Sequence, residues 1–222
     1  MKQEVNLIRA RLKTPRAAAF AGILFSVLLS TALILFRLSV RADPLEAGAW
    51  LKTSSNTVAL ALNLVPFAGI AFLWFIGVLR DRLGELEDRF FATVFLGSGL
   101  LFLALLFGSA AIAGGIILSY IAQPQGFVDS RTFDFARAFF HELINLYVVK
   151  MASVFMISTS MIGLRTGFTP RWSAFLGFAC ALLLLLSGRH TDWAFIVFPL
   201  WVLLVSIYIL IENLGPPSQT IG

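Results

Sequence analysis

Ionisable residues standing in apolar surroundings are the ones that could do chemistry, and in this chain they gather in one stretch: His141, Glu142 and Lys150, together with the polar Asn145. Positions three and four apart share a helix face, so His141, Glu142 and Asn145 form a polar group that could move a proton or share a cation. Lys150 falls near the middle of an apolar run, where a charge costs on the order of 3 kcal/mol to insert. It is expected to be a charged relay or anion-binding group facing an internal cavity, or a lysine that desolvation keeps neutral, or one that snorkels or donates to helix carbonyls. Glu142 is about 12 Å from it along a regular helix and roughly 80° around, so the two are not expected to pair. Asn63, Ser26, Ser30 and Thr31 are the candidate partners at comparable depth.

The run His141-Glu142-Leu143-Ile144-Asn145 resembles the His-Glu-x-x-His pattern of zinc metalloproteases, in which two histidines one turn apart bind the metal and the glutamate activates water. The resemblance covers five residues and departs at Asn145, which stands where the second metal ligand belongs. Metal ligation is therefore not expected, and no cofactor is implied. The other histidine, His190, lies in a short loop that the topology puts on the same side as His141, Glu142, Asp129, Asp134 and Asp192, where hydrogen bonding at the membrane edge is the expected role.

Six apolar stretches must position these groups. They run from about Ala17 to Val40, Val58 to Val78, Phe91 to Ile121, Ala136 to Leu164, Trp172 to Leu186 and Trp193 to Ile211. A crossing needs roughly 20 apolar residues, so six of them use most of the 222-residue chain. The third stretch is longer than a perpendicular crossing and must tilt, bend near Gly114-Gly115 or project. Pro66 and Pro199 fall inside the second and sixth. The fifth is the shortest, and Ser187 to Asp192 joins it to the sixth as an antiparallel hairpin. The reading is an all-α, polytopic transmembrane bundle: a basic segment at 1–16, a membrane domain at 17–212 and a flexible tail at 213–222.

With 59% hydrophobic and 13% charged residues, the chain has more apolar surface than a soluble fold of its size could bury. The formal charge of +5 sits at the ends of the apolar stretches and not on one face, which argues against a nucleic-acid partner. If the N terminus is cytoplasmic, the inner segments carry Lys2, Arg9, Arg11, Lys13, Arg16, Arg80, Arg82, Arg89, Arg165 and Arg171, and the outer ones only Arg41, Lys52, Arg131, Arg137 and Arg189. The positive-inside rule then puts both termini in the cytoplasm, as expected of a multi-pass protein of the cell inner (plasma) membrane. Trp50, Trp172 and Trp193 fit interfacial belt positions. The single cysteine, Cys180, excludes an intramolecular disulfide.

Small residues recur four apart in the third stretch: Ser109 with Ala113, Ala110 with Gly114 and Ala111 with Gly115. Such a face lets helices approach closely, within the chain or against a second copy or another membrane protein. Lipid is the certain neighbour. Three functions follow in order: a non-catalytic accessory or assembly component; a small channel or secondary transporter using Lys150, with Asn63 at membrane depth; and a membrane-embedded metal-dependent enzyme using His141 and Glu142. Six crossings also resemble bacterial members of a small potassium-channel family whose first helix carries Phe-Ser-Asp, but Phe20-Ala21-Gly22 stands here.

Overall fold

Long runs of Leu, Ile, Phe and Ala leave the backbone one economical way to satisfy its N–H and C=O groups away from water, which is to bond along the chain. The computed structural model describes residues 2–40, 48–83, 89–167, 170–187 and 194–214, and every regular element in them is helical. In order these are α1 (Lys2–Ser39), α2 (Ala49–Thr53), α3 (Ser55–Leu83), α4 (Arg89–Ala122), α5 (Arg131–Glu142), a π-helical segment (Leu143–Val148), α6 (Val149–Thr166), α7 (Arg171–Leu186) and α8 (Ala194–Leu214). His190 with its loop, the centre of the Arg80–Arg89 loop, Trp193 and the Gly215–Ser218 tail lie outside the described residues.

Four helical stretches are long and apolar enough to cross a membrane: Ala17–Ser39, Ser55–Arg80, Phe90–Ala122 and Arg131–Thr166. Two more, Arg171–Leu186 and Ile196–Glu212, are apolar but shorter. The six apolar stretches of the sequence thus become six helical stretches, four of spanning length. α3 and α8 continue through Pro66 and Pro199, and α4 runs unbroken through Gly114-Gly115.

The fourth stretch begins earlier than its apolar pattern does. Ser130 caps α5 by accepting a hydrogen bond from the Phe133 amide at 3.2 Å, satisfying an N–H that the first helical turn leaves without a partner. The stretch then passes through the π-helical segment before continuing as α6. Regular α-helical geometry therefore does not hold between Glu142 and Lys150. The single turn α2 was not evident in the sequence. It sets Trp50 and Leu51 against Val58, Ile116, Ile117 and Phe133 in a small apolar cluster. Trp50, expected as a lipid-facing belt residue, is buried there.

The main core lies between the long helices. α1 packs along α3 and α8, while α6 packs on α7 and α4. One phenylalanine from each of five helices meets at the centre: Phe25 of α1, Phe72 of α3, Phe102 of α4, Phe155 of α6 and Phe198 of α8. Their ring centroids stand 4.5 Å apart for Phe25 and Phe72, 4.8 Å for Phe102 and Phe198, and 5.1 Å for Phe72 and Phe155. Tilted and edge-to-face arrangements dominate, as the ring quadrupoles favour. Gly22 of α1 faces Ser206 of α8: a Cβ there would stand only 2.0 Å from Ser206 Oγ.

The exterior is apolar as well. Phe20, Phe67, Trp74, Leu118, Phe175 and Leu186 are each more than 60% exposed, on four different helices. Water would penalise such a surface over so large an area, and hydrocarbon would not.

Candidate functional site

Lys150 stands at the start of α6, beside the end of α7. With 16 residues, α7 is about 24 Å long, short of a hydrocarbon core of about 30 Å. Its last carbonyls, which no further helical turn can satisfy, need donors from elsewhere in the protein. Lys150 Nζ supplies them. It donates to the carbonyl oxygens of Leu184 at 3.1 Å, Leu185 and Ser187 at 3.0 Å. The Ser187 amide donates to Leu183 O at 2.8 Å, and Ser187 Oγ to Leu184 O at 2.7 Å. An ammonium has three N–H donors, and here three carbonyls receive them. The partial negative charge at a helix C terminus adds to the attraction.

Of the roles the sequence allowed, donation to helix carbonyls is the one the geometry displays. The side chains named as partners are elsewhere. Ser26 Oγ is turned back on its own helix, donating to Gly22 O at 2.7 Å. Asn63 is exposed on the outside of α3 and lies outside the cavity lined by its neighbours Ala61, Leu62 and Val65. Equal depth along two helices did not bring these groups together.

His141 and Asn145 do meet in a common place. Both line a cavity of about 50 Å³ between α1, α3, α4 and the fourth stretch, together with Arg37, Ser109 and mostly aliphatic walls. Arg37 comes from the last turn of α1, a place where a long cation ordinarily snorkels towards headgroups and so gives no signal of a site in the sequence. Ser109 Oγ donates to Leu106 O at 2.8 Å, so its hydroxyl is spent on its own helix. Glu142 is half-buried and is not part of this lining. The His-Glu-x-x-Asn run is therefore divided between a pair that lines the cavity and a glutamate that does not. Among the described residues, no group of three or more His, Cys, Asp or Glu side chains converges.

The small residues of α4 also divide. Ser109 and Ala113 are buried inside the bundle, whereas Ala111 and Gly115 are exposed. The exposed Ala104 and the half-buried Gly108 continue that set, so that Ala104, Gly108, Ala111 and Gly115 recur at helical spacing along one face. A Cβ added at Gly108 or Gly115 would meet nothing within 4 Å.

The fold defines an all-helical bundle whose long apolar helices and apolar exterior are those of a membrane-embedded protein. Comparison with known proteins finds no matching family, no similar curated protein and no similar solved structure.

Proposed function

We propose that this chain is a non-catalytic integral membrane component that assembles with a second membrane helix through the outer face of α4. The observation that carries the reading is the run Ala104, Gly108, Ala111 and Gly115, small residues that are exposed but for the half-buried Gly108. Between helices in lipid no hydrophobic force drives association, so close backbone approach over small residues is a principal source of contact energy. A second copy of this chain or another membrane protein fits such a face equally well by chemistry.

Two features favour this reading over transport. Lys150, the charge that suggested a substrate path, has its donors directed at the end of α7. Five phenylalanines fill the centre of the bundle, where a path between the two sides would have to pass. The enzyme reading, which needs His141 and Glu142 to act together, is weakened because Glu142 does not share the lining of the cavity that His141 and Asn145 face.

In this proposal α1, α3, α4, the α5–α6 stretch, α7 and α8 each cross once, and both termini lie in the cytoplasm of a cell with its inner membrane as host. The ten-to-five bias of Lys and Arg between the two sets of loops supports that orientation. Lys150 explains how a 16-residue helix can serve as a crossing, since the carbonyls it would otherwise leave bare in hydrocarbon are met by the protein.

The test is the association state of the full chain in lipid nanodiscs and in native membranes. Gly108→Leu and Gly115→Leu place branched side chains at positions where an added Cβ meets nothing within 4 Å. Each is expected to keep helix content and thermal stability while abolishing site-directed cross-linking through α4, to a second copy or to a partner. If both variants cross-link as the unaltered chain does, the face is not an assembly surface.

A further inference from the structure

The outer wall between α1 and α3 is not flat. An open groove of about 810 Å³ runs along it, roughly five times the space that holds a benzene ring. Ala17 and Ala21 of α1 and Ala71 of α3 are its small residues. Phe20 and Leu24 stand over them on one side and Phe67, Ile70 and Trp74 on the other, each more than half exposed. From Ala17 to Leu28, the lining positions of α1 rise about 16 Å, half of a hydrocarbon core of about 30 Å. That is the depth of one leaflet, and so of one layer of acyl chains.

One end of the groove is basic. Phe25 of α1 meets Phe72 of α3 with ring centroids 4.5 Å apart, and a Cβ at Gly22 would stand 2.9 Å from the Phe75 ring. The helices are therefore antiparallel, and five residues further out on each, Ala17 is level with Arg80. Arg80 is exposed and, among the described residues, has no ion-pair partner. Immediately before Ala17, α1 carries Lys2, Arg9, Arg11, Lys13 and Arg16 against the single acid Glu4. The segment after Arg80 mixes both signs, so the positive excess at this end comes from the start of α1 and from Arg80. Clusters of this kind beside a membrane helix attract anionic lipid heads, and arginine holds a phosphate with paired N–H donors.

We infer that the α1–α3 groove holds one acyl chain of an anionic phospholipid from the leaflet on the N-terminal side, with the head at the level of Arg80 and the basic start of α1. Apolar contact alone does not distinguish one lipid from its neighbours, so retention rests on the fit of a chain between the two rims together with the charge at the mouth. A second copy suits the groove less well. Copies in one membrane share an orientation, so a symmetric pair through this face sets two concave surfaces together and brings two basic ends to the same side. The inference uses a different face from the assembly reading and does not depend on it.

The full chain, purified in a maltoside detergent, is titrated with phosphatidylglycerol and with phosphatidylcholine of the same acyl chains, and bound lipid is counted by native mass spectrometry. Saturable binding of one phosphatidylglycerol per chain is expected, at least about tenfold tighter than phosphatidylcholine. Arg80→Gln is expected to weaken phosphatidylglycerol about fivefold and to leave phosphatidylcholine unchanged. Ala21→Phe, which fills the groove, is expected to abolish the saturable binding, whereas Val27→Phe, exposed on the same helix outside the groove, keeps it. Ala17→Phe, at an exposed position of the same groove, serves the same purpose should Ala21→Phe fail to fold. Equal affinity for the two lipids, or undiminished binding in the folded filled-groove variant, overturns the proposal. So does a dimer of the lipid-free chain that filling the groove abolishes, which would assign the groove to a second copy.

Discussion

Lys150 Nζ lies 3.0 Å from the carbonyl oxygen of Ser187, 37 residues further along the chain, and closes the C-terminal end of α7 from the side of α6. Replacing Lys150 with Met removes a charge whose insertion costs on the order of 3 kcal/mol, but strands carbonyls that each cost about 1–3 kcal/mol when left bare in an apolar place. Stranding the carbonyls is the larger effect. Lys150→Met is expected to lower the stability of the detergent-solubilised chain by about 1–3 kcal/mol net, read as a fall in its thermal unfolding midpoint. A methionine variant as stable as the original would remove the capping role, and with it the account of how so short a helix sits in hydrocarbon.

Ser187 acts on the same helix end, since its hydroxyl and the Lys150 ammonium both donate to Leu184 O. Ser187→Ala is expected to cost about 1 kcal/mol by itself. Because the two groups share an acceptor, their losses should not add: either single variant leaves Leu184 O one donor, whereas the double variant leaves it bare and is expected to lose more stability than the sum of the separate effects. A double-mutant cycle on unfolding free energies measures the coupling, and strict additivity would mean that the shared carbonyl does not link them.

These contacts show where the sequence was legible and where it stopped. Apolar runs of spanning length announce helices because lipid allows the backbone hardly any alternative, and the six stretches were read from that rule alone. Lys150 stood out for the same reason. Its partners did not, because they are backbone carbonyls of another helix and no side chain marks them. Asn63 illustrates the complementary failure: position along a helix fixes depth, but rotation about the axis is set by packing, and α3 turns Asn63 outward. Trp50 looked like an interfacial anchor until the unanticipated turn α2 folded it over Ile116 and Phe133. The π-helical segment carries no compositional signal of its own, so His141 and Glu142 were read on a regular helix that the chain does not continue.

Phe72 touches the rings of Phe25, Phe102, Phe155 and Phe198, which no periodicity among 22 phenylalanines could have singled out. Truncating it empties the point where five helices meet. Phe72→Ala is expected to destabilise the bundle by about 3–5 kcal/mol, the range for a large buried aromatic. Phe67→Ala, five positions earlier on the same helix and 63% exposed, is expected to change stability by less than about 0.5 kcal/mol. Detergent or urea unfolding of the two variants side by side separates loss of the central contact from any general effect of removing a phenylalanine from α3.

The number of crossings follows from the two shorter helices, and Cys180 makes it directly measurable. As the only cysteine, half-buried in α7, it can be changed to Ala to leave a thiol-free chain for placing single reporters. With α7 and α8 both crossing, the total is even, and a cysteine placed near Lys2 and one placed near Ser218 face the same compartment. Each is then expected to react with a membrane-impermeant maleimide only after intact cells are permeabilised, while a reporter at Asp129, between α4 and α5, reacts from outside. Termini labelled from opposite sides would mean that one of the shorter helices does not cross. Asp129 reacting only after permeabilisation, with both termini reacting in intact cells, would instead keep the even count and invert the orientation drawn from the Lys and Arg bias.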